Sequence, residues 1–242
     1  MIIDFHAHLL RHPVKKQYDL DDLWRDMDEN GIDVRMISAL EGKSIADQND
    51  TVARLARSHP DRLLACAVID PKQDDCVEEA RRVAGIREIR ALEFNSWEHG
   101  YLPERYAHHL DPIFDIAEEA GLPVKLFAGW GARSMPHQWA QYAHRHPGVT
   151  FVVLHIGGID FGYGSIDLVR DTPNMMFETS GQTELQVLRK AFADVSADRF
   201  LFGSNYPEHF TRCSIDTFDV LDLPEETRAA MFYGNARKLL HL

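Results

Sequence analysis

The chain has 242 residues, 45% hydrophobic and 26% charged, and its Asp and Glu outnumber Lys and Arg to leave a formal net charge of -12. That length suits either two small domains or one large barrel with a sizeable core, and the composition is ordinary for a soluble globular protein. The acidic balance, without any Lys/Arg cluster, excludes nucleic acid or an anionic membrane surface as the default partner, because both are bound through clustered cations.

Short apolar runs then alternate with longer segments of helical period, the pattern of repeated βα units around a parallel sheet. The first run, MIIDFHAH (1–8), lacks the basic start and long apolar core of a signal peptide. No later run reaches the ~18 residues of a membrane span, so a cytoplasmic protein is expected. Its end carries His6-Ala7-His8, whose spacing aims both imidazoles to one side of a strand as a two-nitrogen metal clamp, with Asp4 expected on the same face. A single His in a chain with 13 is more often a packed histidine than a ligand.

The segment DLDDLWRDMDENGI reads as a helix ending at Gly31, and VRMISAL (34–40) and RLLACAVID (62–70) as the second and third strands. Cys66, Cys76 and Cys213 form no CxxC pair, which suits a reducing compartment and a packing role. IRALEFN (89–95) places Glu93 and Asn95 on one strand face. DPIFDIAEEAGLP reads as a helix with Pro112 in its first turn and Gly121 past its end, followed by PVKLFAG (123–129), which sets Lys125 and Phe127 on one face. TFVVLHIGG (150–158) ends in His155 before paired glycines, and NMMFETSG (174–181) and RFLFGSN (199–205) complete eight runs. The closing segment, PEETRAAMFYGNARKLLHL, spaces Met231, Ala236, Leu239 and Leu240 helically, with Gly234 as an interruption.

Eight strands with intervening helices and no linker imply one α/β domain over residues 1–242, a single (β/α)8 TIM barrel. A doubly wound open sheet is the alternative, but no Gly-rich nucleotide loop follows an early strand. The active site of such a barrel lies at the C-terminal ends of its strands, where this chain is unusually polar.

IIDFHAHL, VVLHIGG, FLFGSNYP and GNARKLLHL, in that order, resemble the amidohydrolase superfamily, in the amidohydrolase-2 branch that includes aminocarboxymuconate-semialdehyde decarboxylase-like enzymes. HPDRLLACAVIDP and EEAGLPVKLFAGW are similar to its connecting motifs, so the resemblance covers essentially the whole chain. It implies a divalent metal held by His6 and His8, with His155 as a ligand or as a base or electrophile beside the ion. Two positions depart from the pattern: Phe127 stands where a further ligand histidine is usual, and Asn205 where a proton-shuttling aspartate is usual. Glu93 is then the expected third ligand, in the place where other branches use a Glu or a carboxylated Lys. The competing reading is an ion pair between Glu93 and Lys125.

The metal expected is zinc, with manganese or iron as alternatives and a metal-free site as another. The expected catalytic residues are His155, Asn205 and Glu93. Asn205 is a neutral amide that can orient substrate or water but cannot be a general base. That role falls to Glu93, His155, Glu208, His209, Asp160 or Glu178. Lys125, Asn95 and Tyr206 are expected to bind substrate, with Trp97 and Trp130 shaping the pocket or simply packing. The expected activity is metal-assisted hydrolysis of a C–N or C–O bond in a small, anionic substrate. Decarboxylation, metal-free lactone hydrolysis and a degenerate barrel that only binds a small molecule are the alternatives, and a homodimer is the assembly implied.

Overall fold

In the computed structural model, which describes residues 1–11, 14 and 17–242, the alternating pattern becomes eight parallel strands hydrogen-bonded in chain order. They are β1 (Ile3–Leu9), β2 (Val34–Ala39), β3 (Leu63–Val68), β4 (Ile89–Phe94), β5 (Val124–Leu126), β6 (Phe151–Val153), β7 (Met175–Glu178) and β8 (Phe200–Leu201). Backbone bonds from Phe5 N to Phe202 O at 2.8 Å, Asn205 N to His6 O at 2.9 Å and His8 N to Tyr206 O at 2.6 Å join the last strand and its loop to the first. The result is a single (β/α)8 barrel. The helices between the strands are α1 (Leu20–Glu29), α2 (Ile45–Ser58), α3 (Cys76–Ala84), α4 (Ala107–Ala120), α5 (His137–Arg145), α6 (Gly158–Asp171) and α7 (Leu185–Asp194). Three more, α8 (Thr211–Asp219), α9 (Glu225–Ala229) and α10 (Asn235–Leu240), follow β8.

Local chemistry accounts for the helix ends. The Asp19 carboxylate accepts from Asp22 N at the start of α1, and Ser44 Oγ accepts from Asp47 N at the start of α2, each satisfying a donor that the helix leaves open. Gly121 closes α4 in the left-handed conformation, as expected. Pro112, expected in a first turn, instead lies inside α4, which begins earlier at Ala107 after a 3-10 turn over Pro103–Tyr106. Lacking an N–H, it makes no helical hydrogen bond of its own, and packing of Leu110, Ile113, Phe114 and Ala117 holds the helix. Gly234 does not interrupt the final segment: a π-turn over Ala230–Gly234 joins α9 to α10.

The strands sort their side chains by the period of two. Outward residues such as Ala7, Ile37, Leu92, Val124 and Phe177 pack under the helices in the larger apolar cluster. Inward residues Ile3, Phe5, Met36, Leu64, Ala91, Val152 and Met176 fill the lower barrel, together with Ala236 and Leu240 of α10. β1 breaks the alternation, because its register against β2 shifts between Asp4 and Ala7. Asp4 therefore does not share the face of His6 and His8, as had been expected. It is paired instead with Arg35 at 2.7 Å, whose guanidinium also reaches Asp26 of α1 and Thr211 of α8. Among the described residues, no helix is long and apolar enough to cross a membrane.

Candidate active site and metal centre

Above the apolar plug, the inward positions turn polar at the C-terminal ends of the strands. His6 and His8 of β1, Ser38 of β2, Glu93 of β4, Lys125 of β5, His155 after β6 and Glu178 of β7 are all buried there. The His6 ring stands edge-on to His8 with centroids 4.6 Å apart and to His155 at 5.2 Å.

Two of these imidazoles, His8 and His155, have their tautomers set by their neighbours. Ser38 Oγ donates to Glu93 Oε2 at 2.9 Å, so its oxygen is left to accept from His8 Nδ1 at 3.0 Å. His8 therefore carries its proton on Nδ1 and presents the Nε2 lone pair. His155 Nδ1 lies 3.1 Å from the carbonyl oxygen of Ser180, a pure acceptor, and 3.0 Å from Ser180 Oγ, so it too is protonated on Nδ1 and leaves Nε2 without a partner. Such outer contacts orient histidine ligands. Burial pushes His6, His8 and His155 below the ordinary histidine range, His155 to about 3, so all three are neutral near pH 7.

Of the two readings that the sequence left open for Glu93, the ion pair is formed, and one carboxylate oxygen remains unpartnered beside it. Burial alone would raise its pKa, but the Lys125 ammonium, His8 and the Ser38 hydroxyl outweigh this and hold it at about 2. Lys125 Nζ lies 2.9 Å from Oε2 with both side chains fully buried, so the expected ion pair exists. Oε1 has no hydrogen-bond partner, and neither does His6 Nδ1 or Nε2. Orphaned buried polar atoms of this kind are rare and call for an ion or water.

The donor set fits a divalent cation. His6, His8 and Glu93 each bring a donor atom within 4.8 Å of the others, and His6, His155 and Glu178 form a second such group. Neutral imidazoles and an ionised carboxylate are the forms that bind metal. Lys125 is the opposing influence, a buried ammonium beside the carboxylate.

His155 sits not at a strand end but in a turn of left-handed residues, with φ of 60° at His155, 48° at Ile156 and 75° at Gly157. Positive φ is uncommon outside glycine and costly for a β-branched residue, so this turn holds His155 at the expense of strain. The paired glycines are needed for close approach, because a Cβ on Gly129 would lie 2.4 Å from Gly158 Cα. Asp160 Oδ2 accepts from Gly131 N at 2.6 Å and so braces the neighbouring loop.

Asn205 also lies in the left-handed region, with φ of 53°, where Asn is one of the few tolerated side chains. Its Nδ2 donates to Glu208 Oε2 at 3.2 Å, while its buried Oδ1 has no partner. A cavity of about 310 Å³ opens above the histidines, lined by residues including His8, Asn95, Trp97, Phe127, Trp130 and Asn205. Phe127 and Trp130 stack at 5.2 Å and both meet the His155 ring edge-on, so the position of the missing ligand histidine is an aromatic wall. Asn95 lines this cavity and accepts from Glu98 N at 2.9 Å. Glu208 and His209 line it too.

Two residues expected to bind substrate are placed otherwise. Lys125 is engaged with Glu93 beneath the histidines, because β5 sets it one residue pair below Phe127 in a closed interior. Tyr206 turns its hydroxyl away to Asp22, 2.8 Å distant, and stacks its ring under the Arg35 guanidinium at 4.6 Å. Ser38 and Ser180, which fix the two histidine tautomers, escaped sequence reasoning. The inward register of Ser38 on β2 could have flagged it, but Ser180 lies past the end of β7, in a turn that carries no such signal. Glu178, one of several loop acids by sequence, proves to be a fully buried strand residue that accepts from Ser180 N, Ser180 Oγ and His155 N. Burial raises it to about 7 against those donors.

A family model described as amidohydrolase matches residues 3–242. No curated protein sequence matches the chain. Among solved structures, 5-carboxyvanillate decarboxylase from Sphingomonas paucimobilis superposes with a TM-score of 0.80 at 15% identity, covering 100% of this chain and 99% of that one. A probable 2-pyrone-4,6-dicarboxylic acid hydrolase from Acinetobacter baumannii, with citric acid bound, gives 0.76 at 16% identity, over 100% and 99%. An amidohydrolase from Burkholderia multivorans with bound zinc gives 0.80 at 14% identity, over 100% and 99%. At these identities the likeness establishes the fold.

Proposed function

From the premise that the chain belongs to the amidohydrolase family over residues 3–242, we propose that it is a metal-dependent hydrolase of a C–N or C–O bond in a small substrate. The observation that carries this is the convergence of His6, His8 and Glu93, with both His6 nitrogens and Glu93 Oε1 left without a partner in the protein. These three residues would hold the ion, with His155 as the next donor and zinc as the ion expected. A divalent ion polarises a substrate carbonyl and makes water a better nucleophile at neutral pH.

The chain's own groups supply the rest. Ser38 and Ser180 keep the imidazole lone pairs of His8 and His155 facing the site. His155 is too weak a base to take a proton at neutral pH and acts as a ligand or hydrogen-bond acceptor. Asn205 orients substrate or water through its free Oδ1. Phe127 and Trp130 shield one side of the cavity from water and offer a flat surface to a planar substrate. A cavity of about 310 Å³ suits a small molecule and not a polymer.

Decarboxylation is the second reading, favoured by Glu178. Its carboxyl, held at about 7 beside His155, is a proton source of the kind a carbanion requires. The decarboxylase fold of the Sphingomonas neighbour is consistent with it.

The experiment is elemental analysis of protein purified without chelator, with His6→Ala and Glu93→Ala beside it. Stoichiometric zinc, manganese or iron that both variants lose supports the ligand set. Metal-free protein with undiminished turnover overturns it. Assays for carbon dioxide release from aromatic carboxylates and for opening of lactones then separate the two reactions.

A further inference from the structure

Hydrolysis at this site requires a group that accepts a proton, and the buried carboxylates are otherwise occupied. Asp4 is held by Arg35 and by Ser204, whose N and Oγ donate to it at 2.9 and 2.6 Å. Glu93 is held by Lys125 and Ser38. Glu178 has no exposed surface and three donors from Ser180 and His155. Two carboxylates remain at the cavity, Glu98 and Glu208. Glu208 is the one tied to the centre. Its carboxylate is the acceptor of the Asn205 amide at 3.2 Å, its backbone N–H bonds Asn205 O at 3.0 Å, and it lines the cavity together with His8. Asn205 N in turn bonds His6 O, so the turn bearing Glu208 is anchored on the strand that carries both histidines.

We propose that Glu208 is the catalytic proton acceptor and that Asn205 is its positioning residue. The neutral amide fixes a carboxylate three residues further along the same turn and leaves its own Oδ1 to receive a hydrogen bond from the attacking water. The proposal rests on the hydrolase reading above. As the water oxygen bonds to the acyl carbon, one of its protons passes to Glu208 and the carbonyl electron pair moves to oxygen. Collapse breaks the C–N or C–O bond, and the leaving group takes the proton back from Glu208. The acid product gives its remaining proton to solvent.

The test uses zinc-loaded full-length protein with p-nitrophenyl acetate and δ-valerolactone as probes, and compares wild type, Glu208→Gln, Asn205→Asp and the double variant Asn205→Asp/Glu208→Gln. General-base loss is expected to lower kcat about 10²–10⁴-fold in Glu208→Gln, with zinc content unchanged and the acidic limb of the pH–rate profile abolished. The double variant, which moves the carboxylate to position 205, is expected to regain at least about tenfold over Glu208→Gln, as restored base catalysis requires. Wild-type turnover that Glu208→Gln retains within twofold overturns the proposal alone. Loss of zinc from Glu208→Gln overturns it in favour of a ligand role. Absence of wild-type turnover on both probes removes the hydrolase reading and the proposal together.

Discussion

Lys125→Met separates the ion pair of Glu93 from the metal-binding role proposed for it. In the folded protein the ammonium and carboxylate meet at 2.9 Å with neither side chain exposed. The substitution keeps the length of the side chain but removes the cation, leaving the carboxylate with the Ser38 hydroxyl as its strong donor. Breaking a buried pair from one side costs roughly 3–5 kcal/mol. Protonation of the stranded carboxyl, whose pKa Lys125 now helps hold at about 2, caps the loss. With about 2–4 °C per kcal/mol for a domain of this size, metal-stripped Lys125→Met should melt roughly 6–20 °C below stripped wild type. A divalent ion on Glu93 and the histidines supplies the missing counter-charge and no longer faces a neighbouring ammonium. Excess zinc should therefore recover at least half of the loss and bind more tightly than to wild type; saturation at a hundred times Kd is worth about 2.7 kcal/mol. Calorimetric melting with EDTA and with zinc measures both effects. An equal deficit with and without zinc would refute the placement of the ion at Glu93, and a deficit under about 1 kcal/mol would refute the worth of the ion pair.

Gly203→Ala should destabilise the protein by about 1–3 kcal/mol in urea unfolding, because the new methyl would lie 2.1 Å from Glu178 Oε1 and 3.1 Å from His6 Cβ; an unchanged midpoint would contradict this packing. Arg35→Met strands the buried Asp4 carboxylate and should cost about 3–5 kcal/mol by the same measurement. In chelator-treated protein, the lowered values of His6, His8 and His155 mean that the unfolded chain binds more protons below about pH 6.5, so stability falls with pH. Glu178, raised to about 7, acts in the opposite sense between about pH 7 and 4.5, where the folded state holds the extra proton. The three histidines, joined by His99, which burial also lowers, outweigh the one carboxyl and leave a net decline from pH 6.5 to 4.5, shallower in His155→Gln, and a stability that rose over this range would show the histidines to be protonated in the folded protein.

The barrel was legible because each strand is a short apolar run with a polar end, and that pattern survives without knowledge of any partner strand. The same reading turned His6, His8 and Glu93 to the interior, since a period of two holds from His6 to His8 and along β4. It misplaced Asp4 because the irregularity at Phe5 and His6 exists only against the register of β2. It assigned His155 to a strand end because nothing in VVLHIGG announces that the chain turns left-handed before the glycines do.

What the amino-acid sequence determined by itself was which side chains share a face and which end of the barrel carries the chemistry, both consequences of local periodicity. Closure of the sheet decided the rest. Only when β2 to β5 line up in order around the barrel does Glu93 meet both its neighbour Lys125 and, across β3, Ser38, and only then does Ser38 set the tautomer of His8. Likewise Asn205 and Glu208 reach the histidines because β8 and its loop bond back to β1, two hundred residues away in the chain. Distances of a few ångströms between groups remote in sequence decide charge and protonation, and no local pattern encodes them.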